Sequence, residues 1–298
     1  MAGSSNCMAV FNLGSINIDL VYRLSHFPAP GETLASRSFM RALGGKGANQ
    51  SIALAAAGAQ IFHIGATHPE DSWLLAEMRQ RNVDMTHVQA SDEPTGHAIV
   101  MVNDEGENQI VLCPSANRNI DMATALAALD SATPEDWVLL QNETNGAHEF
   151  VAAAKTRGLK IAYSAAPFEA EIALALLPDC DLLVVNEGEA AALMAATGRE
   201  ADALGLEHLV ITYGGDGAEY IGKAGRFRQD AFTVNAVDTT GAGDCFFGYF
   251  LAGVASETPI ETALNEASAA AALQVTKPGA ADAIPQRHEV LAFIESQT

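Results

Sequence analysis

Residues 238–244 read Asp238-Thr239-Thr240-Gly241-Ala242-Gly243-Asp244, and the apolar run Cys245-Phe246-Phe247 follows at once. The spacing describes a glycine-rich turn that opens a helix, with one carboxylate in the helix's first turn. A helix start carries unpaired N–H groups and the positive end of the macrodipole, so it attracts anions. Glycine lets the backbone approach a phosphate with no side chain between them. Asp244 would repel that anion and is better placed to take a proton from an attacking hydroxyl. An anion cradle beside a base points to phosphoryl transfer onto an alcohol.

Outward from this turn, short apolar strands alternate with Ala-rich helical stretches. The pattern predicts strands at Ala9–Leu13, Ile61–Gly65, Trp137–Leu140, Lys160–Tyr163, Leu182–Val185 and Leu209–Thr212. It predicts helices at Gly47–Ala57, Ser72–Arg81, Gly146–Lys155, Glu187–Ala196, Ala242–Ala255 and Ile260–Val275. Continuous apolar strands separated by helices read as a mostly parallel sheet covered on both faces, an α/β sandwich of three layers. Residues 20–42 and 95–113 break the rhythm and alternate like antiparallel strands, with Pro28, Pro30, Gly31 and 103–106 as turn signals. They are expected to form a small β-sheet lid on a single domain spanning 1–298.

The chain has 298 residues, 49% of them hydrophobic and 18% charged, which suits one large α/β domain. Apolar runs such as 51–57 are too short to cross a bilayer, and no basic segment precedes an apolar one at the start. A cytoplasmic protein is expected. Cys7, Cys113, Cys180 and Cys245 are widely spaced, which argues against a disulfide framework or a zinc site. Cys245, beside Asp244, reads as a small core residue. The net charge of −21 argues against nucleic acid or an anionic membrane as partner. A nucleotide is also an anion, so its binding has to rest on helix starts, Lys46 and a divalent cation.

Gly44-Gly45-Lys46-Gly47 is not a Walker A loop, whose spacing is absent from the chain. It reads as a strand-to-helix turn pressed against a small ligand. Lys46 offers up to three hydrogen bonds, and Asn49 both donates and accepts. Asn17 and Asp19, at i and i+2, should point the same way, and a carboxylate beside an amide suits neighbouring hydroxyls. Asn186 and Glu189 lie one helical turn apart after a strand. That arrangement fits a hydrated Mg²⁺ and equally an N-cap with acidic first-turn residues.

Five motifs in order resemble those of the ribokinase-type (PfkB) carbohydrate kinases: 14–19 (Gly-Ser-Ile-Asn-Ile-Asp), 44–50 (Gly-Gly-Lys-Gly-Ala-Asn-Gln), 103–108, 238–244 and 275–280. The resemblance runs from about residue 8 to about residue 285. It implies a ribokinase-like fold with a lid that forms a homodimer contact. The implied activity is ATP-dependent phosphorylation of a primary hydroxyl of a small sugar, D-ribose first. Asp244 is then the base and Gly241, Ala242 and Gly243 are the anion hole.

By the same resemblance Asn17, Asp19, Gly45, Lys46, Asn49 and Glu143 face the sugar. Asn186, Glu189, Thr212, Gly214, Gly217 and Ser268 serve the nucleotide and its Mg²⁺. Asp238, Thr240, Gln274, Lys277 and Gly279 line a site for a monovalent cation, K⁺. Two positions depart from the family pattern. Ala283 stands where a serine oxygen usually joins the cation, and 164–167 read Ser-Ala-Ala-Pro in place of Asn-Pro-Ala-Pro. Other acceptors stay open, namely deoxyribose, fructose, ketodeoxygluconate or a nucleoside, as does a non-catalytic sensor. A Rossmann dehydrogenase is set aside for want of its glycine fingerprint.

Overall fold

Five-residue runs such as Trp-Val-Leu-Leu-Gln at 137–141 are buried along their whole length, which suits strands covered by helices on both faces. The computed structural model describes residues 8–297. In chain order its elements begin with β1 (Ala9–Leu13), β2 (Asn17–Arg23), β3 (Ser38–Gly44), α1 (Lys46–Ala56), β4 (Gln60–Thr67), α2 (Ser72–Gln80) and β5 (Asp84–Ala90). Next come β6 (Gly96–Val102), β7 (Asn108–Cys113), α3 (Met122–Ala127), β8 (Trp137–Gln141), α4 (Ala147–Thr156), β9 (Lys160–Ser164) and α5 (Ala170–Leu176). The remainder are β10 (Leu182–Asn186), α6 (Glu187–Thr197), β11 (His208–Thr212), β12 (Ala218–Gly222), β13 (Gly225–Gln229), α7 (Ala242–Ala255), α8 (Ile260–Gln274) and α9 (Arg287–Gln297).

Nine strands form the large sheet in the order β13-β12-β11-β10-β9-β8-β1-β4-β5. The pairs from β11 to β5 are parallel, while β12 and β13 join the edge as an antiparallel hairpin. Alternate residues feed two cores. Val10 and Leu139 pack with Ile52, Leu54, Phe247 and Leu264 on the face covered by α1, α2, α7, α8 and α9. Phe11, Val138 and Leu140 pack with Phe150, Leu176 and Leu193 on the face covered by α3 to α6. The predicted three-layer α/β sandwich is the observed one.

A second sheet of four strands runs β3-β2-β6-β7. It occupies the two segments that break the α/β rhythm, with one correction. β2 and β6 pair in parallel, because β6 is reached only after a long crossover through β4, α2 and β5, and only the outer pairs are antiparallel. Phe39 and Val111 on one face of this sheet, and Met40 and Ile110 on the other, are each more than half exposed. Among the described residues, no helix is long and apolar enough to cross a membrane.

Helices α1 and α7 lie against each other, and Gly248 makes that approach possible. A Cβ there would fall 2.4 Å from Ala53 Cβ and 2.9 Å from the Gln50 carbonyl oxygen. Gly248→Ala should therefore destabilise the fold by ~1–3 kcal/mol through overpacking. Denaturant unfolding measures this directly, and a midpoint equal to that of the parent chain would refute the tight-crossing account.

Candidate active site

Asp244 occupies the third position of α7, whose N-cap is Gly241 at φ 77°, a left-handed conformation that glycine adopts without strain. The side chain is buried, and both oxygens are held from α1. Asn49 Nδ2 donates to Oδ2 at 3.1 Å, and Gln50 Nε2 donates to Oδ1 at 2.8 Å. An ionised carboxylate only accepts, so each amide must present its NH₂ group to it. That requirement sets the direction of a longer buried chain. Gln50 Oε1 accepts from Gln141 Nε2 (2.7 Å), which also donates to Asn12 Oδ1 (3.0 Å). Asn12 Nδ2 donates to Ser51 Oγ (2.8 Å) and the Gly47 carbonyl (2.9 Å). Ser51 Oγ bonds His63 Nδ1 (2.8 Å), and His63 Nε2 bonds the Gly14 carbonyl (3.1 Å). Burial pushes the His63 imidazole down to about 4, so it stays neutral and needs no counter-charge.

The residues expected at the sugar converge beside Asp244. Gly45, at φ 95°, follows β3 and caps α1 in the predicted strand-to-helix turn. Gly47 is forced by contact, since a Cβ would lie 2.3 Å from the Ser15 nitrogen. Glu143 is buried just beyond β8 and accepts from Ser15 Oγ (2.5 Å) and from the Lys46 N–H (3.2 Å). Burial raises the Glu143 carboxyl above its usual range. The Asp244 carboxylate holds the Lys46 ammonium above its own range, against the opposing effect of burial. Asp19 lies over Gly44, where a Cβ would be 2.1 Å from its Oδ2, and burial with nearby Glu143 pushes its carboxyl up to about 6. Asn17 is fixed by Asn117, whose Nδ2 reaches Asn17 Oδ1 at 2.7 Å.

Two adjoining cavities open at the carboxyl ends of the parallel strands, the usual ligand position in open α/β sheets. The smaller, about 160 Å³, is lined by Lys46, Asn186, Glu189, Gly241, Gly243 and Asp244. The larger, about 570 Å³, is lined by Thr212, Gly214, Gly217, Phe246, Ser268 and Val275. They share Thr212, Thr239, Ala242 and Gly243, so one elongated ligand fits both. Asn186 and Glu189 form a reciprocal capping box at α6, each side chain accepting the other's N–H at 2.9 Å. Burial also raises the Glu189 carboxyl.

Of the residues expected at a monovalent cation, Asp238, Thr240, Gln274 and Gly279 meet behind the turn at 241–243. Lys277 points away and is exposed, with Nζ 3.6 Å from Glu289. A further cavity of about 780 Å³ at the opposite end of β1 and β4 contains none of the predicted residues.

Residues 9–287 match the model of the pfkB family carbohydrate kinases, and the chain belongs to that family. A ribokinase of Haemophilus influenzae is 34% identical over 95% of this chain and 97% of its own. A deoxyribokinase of Salmonella typhi is 28% identical over 97% of this chain and all of its own. The structure of Arabidopsis thaliana ribokinase with ribose and ATP superposes with a TM-score of 0.84 at 27% identity, covering 97% of this chain and 98% of that one. The protein is an ATP-using carbohydrate kinase.

Sequence reading missed Ser15, Asn117, Gln141 and His63, and gave Gln50 no role although it stands inside the 44–50 motif. Among the described residues Gln50 links Gln141 to Asp244. Gln50→Met, close in shape but without the NH₂, should lower kcat about tenfold while leaving the sugar KM within about twofold, since one hydrogen bond to a charged group is lost. Steady-state kinetics reads this split, and unchanged kcat would show that Asn49 alone positions the carboxylate.

Proposed function

We propose that the enzyme transfers the γ-phosphoryl group of ATP to the primary hydroxyl of D-ribose, giving ribose 5-phosphate. The observation that carries the reading is the Asp244 carboxylate, clamped by two amides and lining, with Lys46, the smaller cavity that adjoins the nucleotide-side one. In this reading Asp244 takes the proton from the attacking hydroxyl. The N–H groups of Gly241, Ala242 and Gly243 hold the charge that builds on the transferred phosphoryl oxygens, the main protein contribution in such reactions. Asn17, Asp19, Gly45, Lys46, Asn49 and Glu143 hold the sugar. Asn49 Oδ1 is buried and has no hydrogen-bond partner among the described residues.

Thr212, Gly214, Gly217 and Ser268 form the nucleotide wall. Asn186 and Glu189 would hold a hydrated Mg²⁺, which when bound neutralises charge on the phosphates. The fit is supported by both residues lining the smaller cavity, with only Oε2 of the Glu189 carboxyl taken by the capping box. The small sheet acts as the lid of a single domain, and its exposed apolar residues, Phe39 and Val111 on one face and Met40 and Ile110 on the other, leave apolar area on each face for a second copy to cover. A kinase of this kind works in the cytoplasm, where its nucleotide is supplied.

Phosphorylation assays across ribose, deoxyribose, fructose, ketodeoxygluconate and nucleosides should give the highest kcat/KM for ribose. A higher value for deoxyribose would move the assignment toward the deoxyribokinase relative. Asp244→Asn should keep nucleotide binding and lose ~10²–10⁴ in turnover.

Asp19 generates a pH effect whose sign follows from its raised carboxyl. Above about 6 it is ionised and accepts from sugar hydroxyls; below about 6 it is protonated and that form binds less well. Sugar affinity should fall about tenfold from pH 7 to pH 5, in proportion to the ionised fraction. Calorimetric titration of ribose against pH checks this, and Asp19→Asn should flatten the dependence.

A further inference from the structure

Gln274 ends α8 and is fully buried, with its carboxamide directly behind the anion-hole turn. Its Nε2 donates to the Thr240 carbonyl and to the Ala280 carbonyl, each at 3.1 Å. A Cβ added to Gly241 would lie 3.1 Å from that nitrogen and 3.0 Å from Ala280 Cβ. The peptide so gripped is the one linking Thr240 to Gly241, the N-cap of α7. Its neighbours are held in the same way. Asp238 Oδ1 accepts the Thr240 N–H at 3.0 Å, and its Oδ2 accepts the Gly279 N–H at 2.9 Å.

Backbone carbonyls from two loops that converge on one point need a positive partner there. A monovalent cation is one solution and a carboxamide NH₂ is another. The donor set does not fit the cation that the family resemblance implies. The Thr240 carbonyl is taken by the Gln274 side chain, and the Gln274 carbonyl accepts the Lys277 N–H at 3.0 Å. Both Asp238 oxygens are engaged by backbone, and Ala283 brings no side-chain oxygen.

We propose that the Gln274 carboxamide replaces a monovalent cation behind the anion hole, so that turnover of this kinase is independent of K⁺. Gln274 acts as a positioning residue. It orients the Thr240 peptide, and through it the N–H groups of 241–243, without touching the substrate. The inference rests on the reading of that turn as the anion hole of a sugar kinase.

The test compares ribose phosphorylation in K⁺, Na⁺ and choline salts at equal ionic strength. The parent enzyme should vary in kcat by less than about twofold across the three. Gln274→Ala removes the NH₂ and should lower kcat in choline by roughly 10–10²-fold, a fraction of what loss of an anion-hole donor costs, with the ribose KM little changed and with K⁺ restoring much of the rate. Gln274→Glu puts a carboxylate against two carbonyls and should turn over only when K⁺ is present. Its melting temperature should rise with K⁺ while that of the parent does not, a readout separate from activity. A parent enzyme activated about tenfold or more by K⁺ overturns the inference and leaves the kinase assignment standing, as does a Gln274→Ala variant as fast in choline as the parent. A parent enzyme inactive on every sugar in all three salts overturns the kinase reading itself.

Discussion

Two side-chain amides of α1 hold a carboxylate at the start of α7, and much of the molecule is arranged so that they meet. The contact spans 195 residues of sequence between Asn49 and Asp244, and it exists only because the two helices approach closely at Gly248 and Ala53. An ionised carboxylate accepts and never donates, so it polarises what is bonded to it. Gln50 must turn its NH₂ inward, Gln141 must then donate to Gln50, and the same logic passes through Asn12 and Ser51 to a neutral His63. A single charged group thereby fixes the orientation of amides that could otherwise sit either way round. The network is buried and nearly complete, with Gln141 Oε1 and Asn49 Oδ1 left open, which makes it rigid and also sensitive to one wrong substitution.

Electrostatics in the site runs against the charge of the whole. A chain of net charge −21 repels a nucleotide at long range. Inside the cleft the balance is set by a helix start, glycine N–H groups and Lys46, at distances where local dipoles outweigh a screened global field. Three carboxylates, Asp244, Glu143 and Glu189, act on that one ammonium, and a fourth, Asp19, lies near Glu143. Burial raises three of the four, so the pocket favours ligands that donate hydrogen bonds to acids and cations that share their charge. Sugar hydroxyls and hydrated Mg²⁺ answer that description; a second anion on the acceptor side does not.

Strand and helix periodicity located the main α/β elements to within a residue or two, because fully apolar strands and Ala-rich helices carry unambiguous patterns. Ala9–Leu13 and Ala242–Ala255 fall where the pattern puts them. The β12–β13 hairpin and the parallel β2–β6 pair did not show. The hairpin strands are short and partly polar, and parallel pairing across a crossover is a property of topology that no local window contains. The site divides in the same way. Glycine spacing around 241–243 and 44–47 announces close backbone approach. Asn117 and Gln141 are lone polar residues in unremarkable surroundings, and their importance lies in partners 100 and 91 residues away. Gln274 was legible as a position in a cation site, but what its side chain does there depends on a rotamer.

The turn at 240–244 is therefore braced from two directions by the same chemical device. Gln50 reaches forward from α1 to hold the carboxylate, while Gln274 reaches from the end of α8 to hold the peptide that precedes the N-cap. Phosphoryl transfer draws most of its acceleration from dipoles that are already aimed before the charge develops. A bound ion aims them only at sufficient ion concentration, and its occupancy is an equilibrium. A covalently attached amide has no such equilibrium; its cost is a buried oxygen, Gln274 Oε1, that finds no partner among the described residues. An unsatisfied amide oxygen costs about 1–3 kcal/mol. That is an acceptable strain in a large α/β core, and the return is a turn whose geometry no longer depends on the composition of the surrounding salt.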